Sequence, residues 1–223
     1  MNGAEIFLDQ KVESIARTSQ LFLVQTLNSH SQRESYRAKF IINAAGHYAD
    51  VIARMIKDQD FSLKARRGQY RILEKTERGT INNHILFMVP TIHGKGVIVA
   101  PTLDGHLLVG PTAEDGIEKE DTRLVTMEKS AEIGIIDKKI VPGLRMEKTC
   151  RVFSGSRPIC VETDGFWIAP SSQDRRFIHV AGISSPGLSA APAIAGQVAD
   201  LIKVQTDLVA NSQFARRSAT GRD

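Results

Sequence analysis

Apolar residues fall in short alternating or clustered runs over most of the chain, and helical spacing is found at only three places. Residues 4–8 (AEIFL), 11–17 (KVESIAR) and 20–27 (QLFLVQTL) read as three strands of a tight antiparallel meander, separated by Asp9-Gln10 and Thr18-Ser19. The polar, charged run from His30 to Arg37 reads as a loop. Ala38 to Asn43 reads as a buried strand that runs into Ala44-Ala45-Gly46, and Val51, Ile52, Met55 and Ile56 have the spacing of a helix over 48–57. Four further strands are expected at 65–74, 84–90, 96–101 and 106–110, with Asp104-Gly105 as a hairpin turn. A second helix is expected over 122–138, with Leu124, Met127, Ala131 and Ile135 on one face. Strands at 148–155, 166–169 and 177–180 precede a last helix from Pro186 to about Val204. Residues 211–223 are polar and basic and read as a frayed tail. Antiparallel strand runs with few helices predict an α+β fold, and no internal repeat is found.

Composition changes this picture little. With 42% hydrophobic and 24% charged residues the chain is an ordinary globular protein, and 223 residues suffice for one large domain or two small ones. The net charge of +4 suits an anionic ligand, although many soluble proteins carry such a charge by chance. Basic residues pair only at Arg66-Arg67, Lys138-Lys139, Arg175-Arg176 and Arg216-Arg217, which argues against a nucleic-acid surface. Cys150 and Cys160 form no CxxC and sit in no His/Cys cluster, so a zinc site is not expected and reduced thiols are the simplest reading, with a disulfide still open. No apolar run reaches the length of a membrane span and the N-terminus has no signal-like core, so a cytoplasmic protein is expected.

Two glycine-rich stretches bear on chemistry. Gly94-Lys95-Gly96 fails as a dinucleotide loop, because Val99 holds the third glycine position and a strand follows instead of a helix. A dinucleotide-binding phosphate loop is therefore not expected within this chain. The second stretch, Val180 to Ala193, runs from a strand end through Ser184-Ser185-Pro186-Gly187 into a helix. Ser184 and Ser185 are good N-caps and proline suits the first turn. The free N–H groups there suit an anion or an electron-rich ring edge, although the small residues also suit a helix packed closely on a sheet without a ligand.

Five segments in order carry a family resemblance. They are Phe40 to Asp50 (FIINAAGHYAD), Arg66-Arg67-Gly68-Gln69-Tyr70, the run from Gly94-Lys95-Gly96 to Gly110-Pro111-Thr112, Gly155-Ser156-Arg157-Pro158, and Ala181 to Ala193. Together they resemble the FAD-dependent oxidoreductases of the glycine oxidase and D-amino-acid oxidase superfamily. The flavin-dependent glycerol-3-phosphate dehydrogenases and oxidases are most similar, with L-2-hydroxyglutarate dehydrogenase next. The resemblance implies a partial FAD-binding domain over 1–58, an inserted antiparallel-sheet substrate domain over 59–147, a returning FAD-binding segment over 148–204 and a flexible tail over 205–223.

Site roles follow from the resemblance residue by residue. Ala44, Ala45 and Gly46 match the family's turn against the ADP portion of FAD, or form a plain strand-to-helix turn. Gly182, Ser185, Pro186, Gly187 and Leu188 match the helix start that faces the flavin's pyrimidine edge. Arg157 matches the arginine that grips the substrate's anionic end, a task its permanent charge and fork geometry suit. Tyr70 stands where some glycerol-3-phosphate relatives have histidine. It can orient the substrate hydroxyl or simply pack, and a phenol is a poor base at neutral pH. His47 and His93 lie near matched segments as candidate bases, although a lone histidine is more often structural, and Asp104 reads as a structural turn residue. The implied reaction is oxidation of the secondary alcohol of a small anionic substrate, glycerol 3-phosphate first, L-2-hydroxyglutarate second and an amino acid third. The electron acceptor is unassigned and a homo-oligomer is possible. A catalytically inactive fragment is the rival from another class, and an unrelated antiparallel binding module the weakest.

Overall fold

The computed structural model describes residues 3–88 and 96–209. The strand expected at 84–90 falls partly outside these residues, and His93, Gly94, Lys95 and the tail at 211–223 fall wholly outside them. Three sheets and three α-helices make up the described part. β1 (Gln10–Arg17), β2 (Phe22–Asn28) and β3 (Arg33–Ala38) form an antiparallel meander in sequence order. This corrects the expectation at both ends. Residues 4–8 form no strand, and Ile6, Phe7 and Leu8 are exposed. Asp9 takes a positive φ of 57° and accepts hydrogen bonds from Ser29, which turns the chain before β1 begins. The third place is taken by the polar run read as a loop, because an edge strand wetted on both faces shows no apolar alternation.

β4 (Ile41–Asn43) leads through a 3-10 turn at Gly46–Tyr48 into α1 (Ala49–Arg54). β4 pairs in parallel with β12 (Phe177–Ala181), which pairs antiparallel with β11 (Trp167–Pro170). α3 (Gly187–Lys203) follows β12. The third sheet is antiparallel and six-stranded. Its long ribbon is β5 (Leu63–Leu73) against β10 (Thr149–Cys160), with β8 (Leu107–Gly110), β7 (Ile98–Pro101) and β6 (Leu86–Phe87) following on the other side of β5. β9 (Glu114–Ile117), which the sequence reading missed, also lies on β5. The hairpin between β7 and β8 turns at Asp104-Gly105 as expected, with Thr102 N–H donating to His106 O. β10 runs beyond the expected end at 155, through Pro158. Among the described strands it is an edge, paired only with β5, so a residue without an N–H costs the ladder little.

α2 (Met127–Ile140) covers the large sheet. Thr126 caps it by accepting from Lys129 N–H, so it starts five residues later than expected. The expected face is the wrong one. Met127 and Ile135 are exposed and Ile133 is buried, because isoleucines line both sides of the helix and the carboxylate of Asp137 interrupts the inward stripe. Leu73, Val99, Leu107, Val109 and Ile133 are fully buried in one core here. Two smaller cores lie beside the other sheets, one around Ala49, Phe61, Leu63 and Ala181, the other around Ile15, Phe22, Ile56 and Phe177. Buried Asp50 joins the parts: it is ion-paired with Lys119 and Arg54 and accepts from Leu63 N–H. Cys150 and Cys160 are free thiols, and among the described residues no helix is long and apolar enough to cross a membrane.

Candidate active site

The β5–β10 ribbon sets the site by its register. Arg66, Gly68 and Tyr70 lie opposite Arg157, Gly155 and Phe153. The two-residue period of a strand puts all six on one face. All but Phe153 border a cleft of about 740 Å³ whose wall also includes Ser185, just before α3. Tyr70 stacks on Phe153 with ring centroids 4.9 Å apart and planes 6° from parallel. Burial pushes its phenol above the ordinary value, and the nearby Arg157 charge offsets this only in part. Tyr70 is therefore a proton holder at neutral pH and a weak base. Gly68 is needed for packing, since a Cβ there would lie 2.7 Å from Pro111 Cβ and 3.0 Å from Thr112 O.

The arginines on this ribbon divide. Arg66 is held by Asp115 at 2.7 and 2.9 Å, and Arg67 by Glu114 at 3.0 Å. Arg157, half-buried in the cleft wall, has no carboxylate partner among the described residues. Among the described residues such a cation lacks the counter-ion its neighbours have, a setting that suits an anion.

The parallel pair of β4 and β12 sets the second half of the site. Asn43 lies opposite His179, so Ala44–Gly46 and Gly182–Leu188 leave the sheet at the same, carboxyl end, where open sheets with parallel strands bind ligands. Ala44 and Ala45 are exposed, and Gly46 takes a φ of 56° with nothing within 4 Å of where its Cβ would be. Ser184 and Ser185 do not cap α3. Its N-cap is Pro186, with no side-chain bond, and Leu188 is 93% exposed. The first-turn N–H groups are thus free of a side-chain cap. Gly182 and Gly187 have packing reasons of their own. At Gly182, φ is 63° and a Cβ would sit 2.7 Å from Gly165 O; at Gly187 it would sit 2.6 Å from Ile183 Cγ2.

A second cleft, of about 600 Å³, shares Gly155 and Ser156 with the first and is lined by Ala45, His47, Lys119 and Arg123 among others. His47 Nε2 is 2.7 Å from Ser156 Oγ, while Nδ1 is buried without a hydrogen-bond partner among the described residues. Burial lowers the pKa of His47, and the charge of Lys119 lowers it further against a hydrogen bond to Ser156 that raises it, so the ring is neutral at neutral pH. The sequence reading named His47 and missed its partner, because nothing in the spacing of 47 and 156 shows that β10 passes the turn after β4. Of the residues the sequence singled out, Tyr70, Arg157 and Ser185 meet in the first cleft and Ala45 borders the second. Ala44, Gly46, Pro186 and Leu188 lie at the end of the small sheet.

These residues suit a flavin dinucleotide. Small exposed side chains and an open glycine allow close approach at 44–46, and the uncapped helix start offers donors to an electron-rich edge. The comparisons with known proteins agree. The family model described as FAD dependent oxidoreductase matches residues 1–201. Glycerol 3-phosphate oxidase of Mycoplasma pneumoniae is 43% identical over 203 residues, covering 90% of this chain and 52% of that protein. Glycerol 3-phosphate dehydrogenase of Caloramator mitchellensis is 37% identical, covering 91% and 40%. Among solved structures, dithionite-reduced L-alpha-glycerophosphate oxidase from Mycoplasma pneumoniae with FAD bound superimposes with a TM-score of 0.79 at 43% identity, over 87% of this chain and 50% of that one. Glycine oxidase from Geobacillus kaustophilus shares the fold at a TM-score of 0.65 and 18% identity, over 95% and 53%. The chain spans about half the length of the curated relatives it matches. On the match over residues 1–201 and the identity to these relatives, the chain belongs to the family of FAD-dependent oxidoreductases.

Proposed function

We propose that this chain supplies the substrate cleft and part of the cofactor site of an enzyme that oxidises the secondary alcohol of glycerol 3-phosphate. The observation that carries the reading is Arg157, a half-buried guanidinium without a carboxylate partner among the described residues, in one cleft with Tyr70 and Ser185. Arg157 holds the phosphate by paired N–H donors, and Tyr70 orients the substrate hydroxyl as a donor that keeps its proton. Ala44, Ala45 and Gly46 lie along the ADP portion of FAD, and Ser185 to Leu188, with the N-terminus of α3, face the pyrimidine edge. FAD, when bound, supplies the two-electron oxidation of the alcohol carbon.

The division into an FAD-binding part over 1–58 and 148–204 and a substrate part over 59–147 is supported by the largest core, while Phe61 and Leu63 pack with Ala49 and Ala181 across it. Every member of the largest core lies between Leu73 and Met146. The names of the relatives divide between oxidase and dehydrogenase, so turnover with and without dioxygen identifies the electron acceptor. The test of substrate is turnover of the flavoenzyme with glycerol 3-phosphate and L-2-hydroxyglutarate, wild type against Arg157→Ala. The expected result is preference for glycerol 3-phosphate and a KM raised on the order of 100-fold in the variant, as loss of a charge-assisted pair implies. An unchanged KM refutes the anchor.

A further inference from the structure

A buried polar chain crosses the small sheet, and none of the roles above uses it. Asn43 ends β4, His179 lies opposite it in β12, Asp58 follows α1 and Ser171 follows β11; all four are at most 3% exposed. His179 Nε2 is 3.0 Å from Asp58 Oδ2, and His179 Nδ1 is 3.2 Å from Asn43 Nδ2. Asn43 Nδ2 also donates to Ala49 O at 2.7 Å. Phe61 and Phe177 pack their rings 4.9 and 5.1 Å from the imidazole and keep water away.

The bonding leaves one arrangement of protons. Burial pushes the Asp58 carboxyl up, but hydrogen bonds from Ser171, the Asp60 amide and His179 outweigh it and hold the group below the usual range. Asp58 is then a carboxylate that only accepts. His179 donates to it from Nε2, and Nδ1 faces the Asn43 amide as the acceptor. The carbonyl of Ala49 fixes the amide the other way round, since only an N–H can face it. Asn43 thus spends both its N–H bonds, one on His179 and one on Ala49. The second bond closes a loop from 43 to 49 that contains Ala44, Ala45, Gly46 and His47. Asn43 Oδ1 is buried without a partner among the described residues, an acceptor left over beside that loop.

We propose that Asp58, His179 and Asn43 form a positioning relay that sets the turn at 44–47 for the dinucleotide portion of the flavin. The proposal rests on the FAD reading of that turn. None of the three is a catalytic residue; the relay acts through Asn43, whose side chain clamps the backbone the cofactor lies on.

The test compares wild type, Asn43→Ala, His179→Leu and His179→Gln in the 223-residue chain. The readouts are amide hydrogen exchange, FAD titration by fluorescence, and thermal midpoint. Asn43→Ala leaves the His179–Asp58 pair in place, so it decides the matter if His179→Leu does not fold. Glutamine offers one acceptor and one donor in place of the ring and serves as the rescue. Exchange at 44–49 is expected to quicken by about tenfold or more in Asn43→Ala and His179→Leu, with amides of β5 and α2 unchanged. FAD affinity is expected to fall by about tenfold in the same two variants and to return to within about threefold in His179→Gln. Unchanged exchange at the turn, or quickening spread evenly over the chain, overturns the relay. So does a loosened turn that binds FAD as tightly as wild type. Should the chain by itself bind no FAD, the exchange pattern decides the clamp, and FAD retention by the same variants of the flavoenzyme decides the cofactor reading of the turn.

Discussion

The large sheet and the small sheet carry their apolar residues to opposite ends. The large one closes its own core: Leu73, Val99, Leu107, Val109 and Ile133 are wholly buried between the strands and α2. Beside the small one, α3 gathers Ser189, Gln197, Asp200 and Lys203 on one side and leaves the rest of its surface apolar, yet of its seventeen residues only Val198 is buried. An apolar face that wide ordinarily packs against neighbours. Apolarity in a sequence therefore states a demand for cover, and only the fold tells whether the described residues meet it.

Stability measurements can break this contrast. The largest effect is expected from Leu107→Ala, which removes a fully buried side chain and should cost about 3 kcal/mol in denaturant unfolding. If Leu107→Ala costs no more than a surface change, the large core is not self-sufficient. Asp137 is the flaw in that core. It is fully buried, neither carboxyl oxygen has a hydrogen-bond partner among the described residues, and burial, eased slightly by Arg71, raises its pKa to about 7. The folded value lies above the unfolded one, so this group's contribution is intact below pH about 4 and is lost as pH rises through about 7. D137N should be the more stable protein at pH 8, by roughly 2 kcal/mol, and the gap should close towards pH 4. A gap independent of pH would show that the carboxyl does not titrate there.

The glycine pair at the middle of the β5–β10 ribbon sharpens the contrast further. Gly68→Ala should cost about 1–3 kcal/mol, because the methyl meets Pro111. Its register partner Gly155 faces open space, so Gly155→Ala should stay within about 0.5 kcal/mol of wild type in stability while weakening ligand binding at the two clefts it borders. The smallest effect is expected at Leu188→Ala, at most about 0.5 kcal/mol, since the side chain is almost fully exposed. A large loss there would mean that α3 is covered after all, by a second copy or another segment.

Much of the fold was legible in the sequence where one signal acted alone. The hairpin at Asp104-Gly105, the strand at 63–73 and the last helix rest on local turn chemistry and clean periodicity. β3 and β9 were not legible, because edge strands held by ion pairs such as Arg67–Glu114 carry no apolar alternation. The inward face of α2 was misread for the opposite reason: apolar residues stood on both sides and the buried Asp137 mimicked a solvent position. In the site, Arg157, Tyr70 and Ser185 were found through segment resemblance. The pairing of His47 with Ser156 and the relay from Asp58 to Asn43 join residues more than a hundred positions apart, and no local pattern encodes them.

For anyone wishing to retool the enzyme, the shared wall at Gly155-Ser156 is the position to avoid. A side chain changed there alters two clefts at once, so its effect on one cannot be separated from its effect on the other. Phe87 and Arg66 border the first cleft alone of these two. A change at either alters the first cleft and leaves the second as it is.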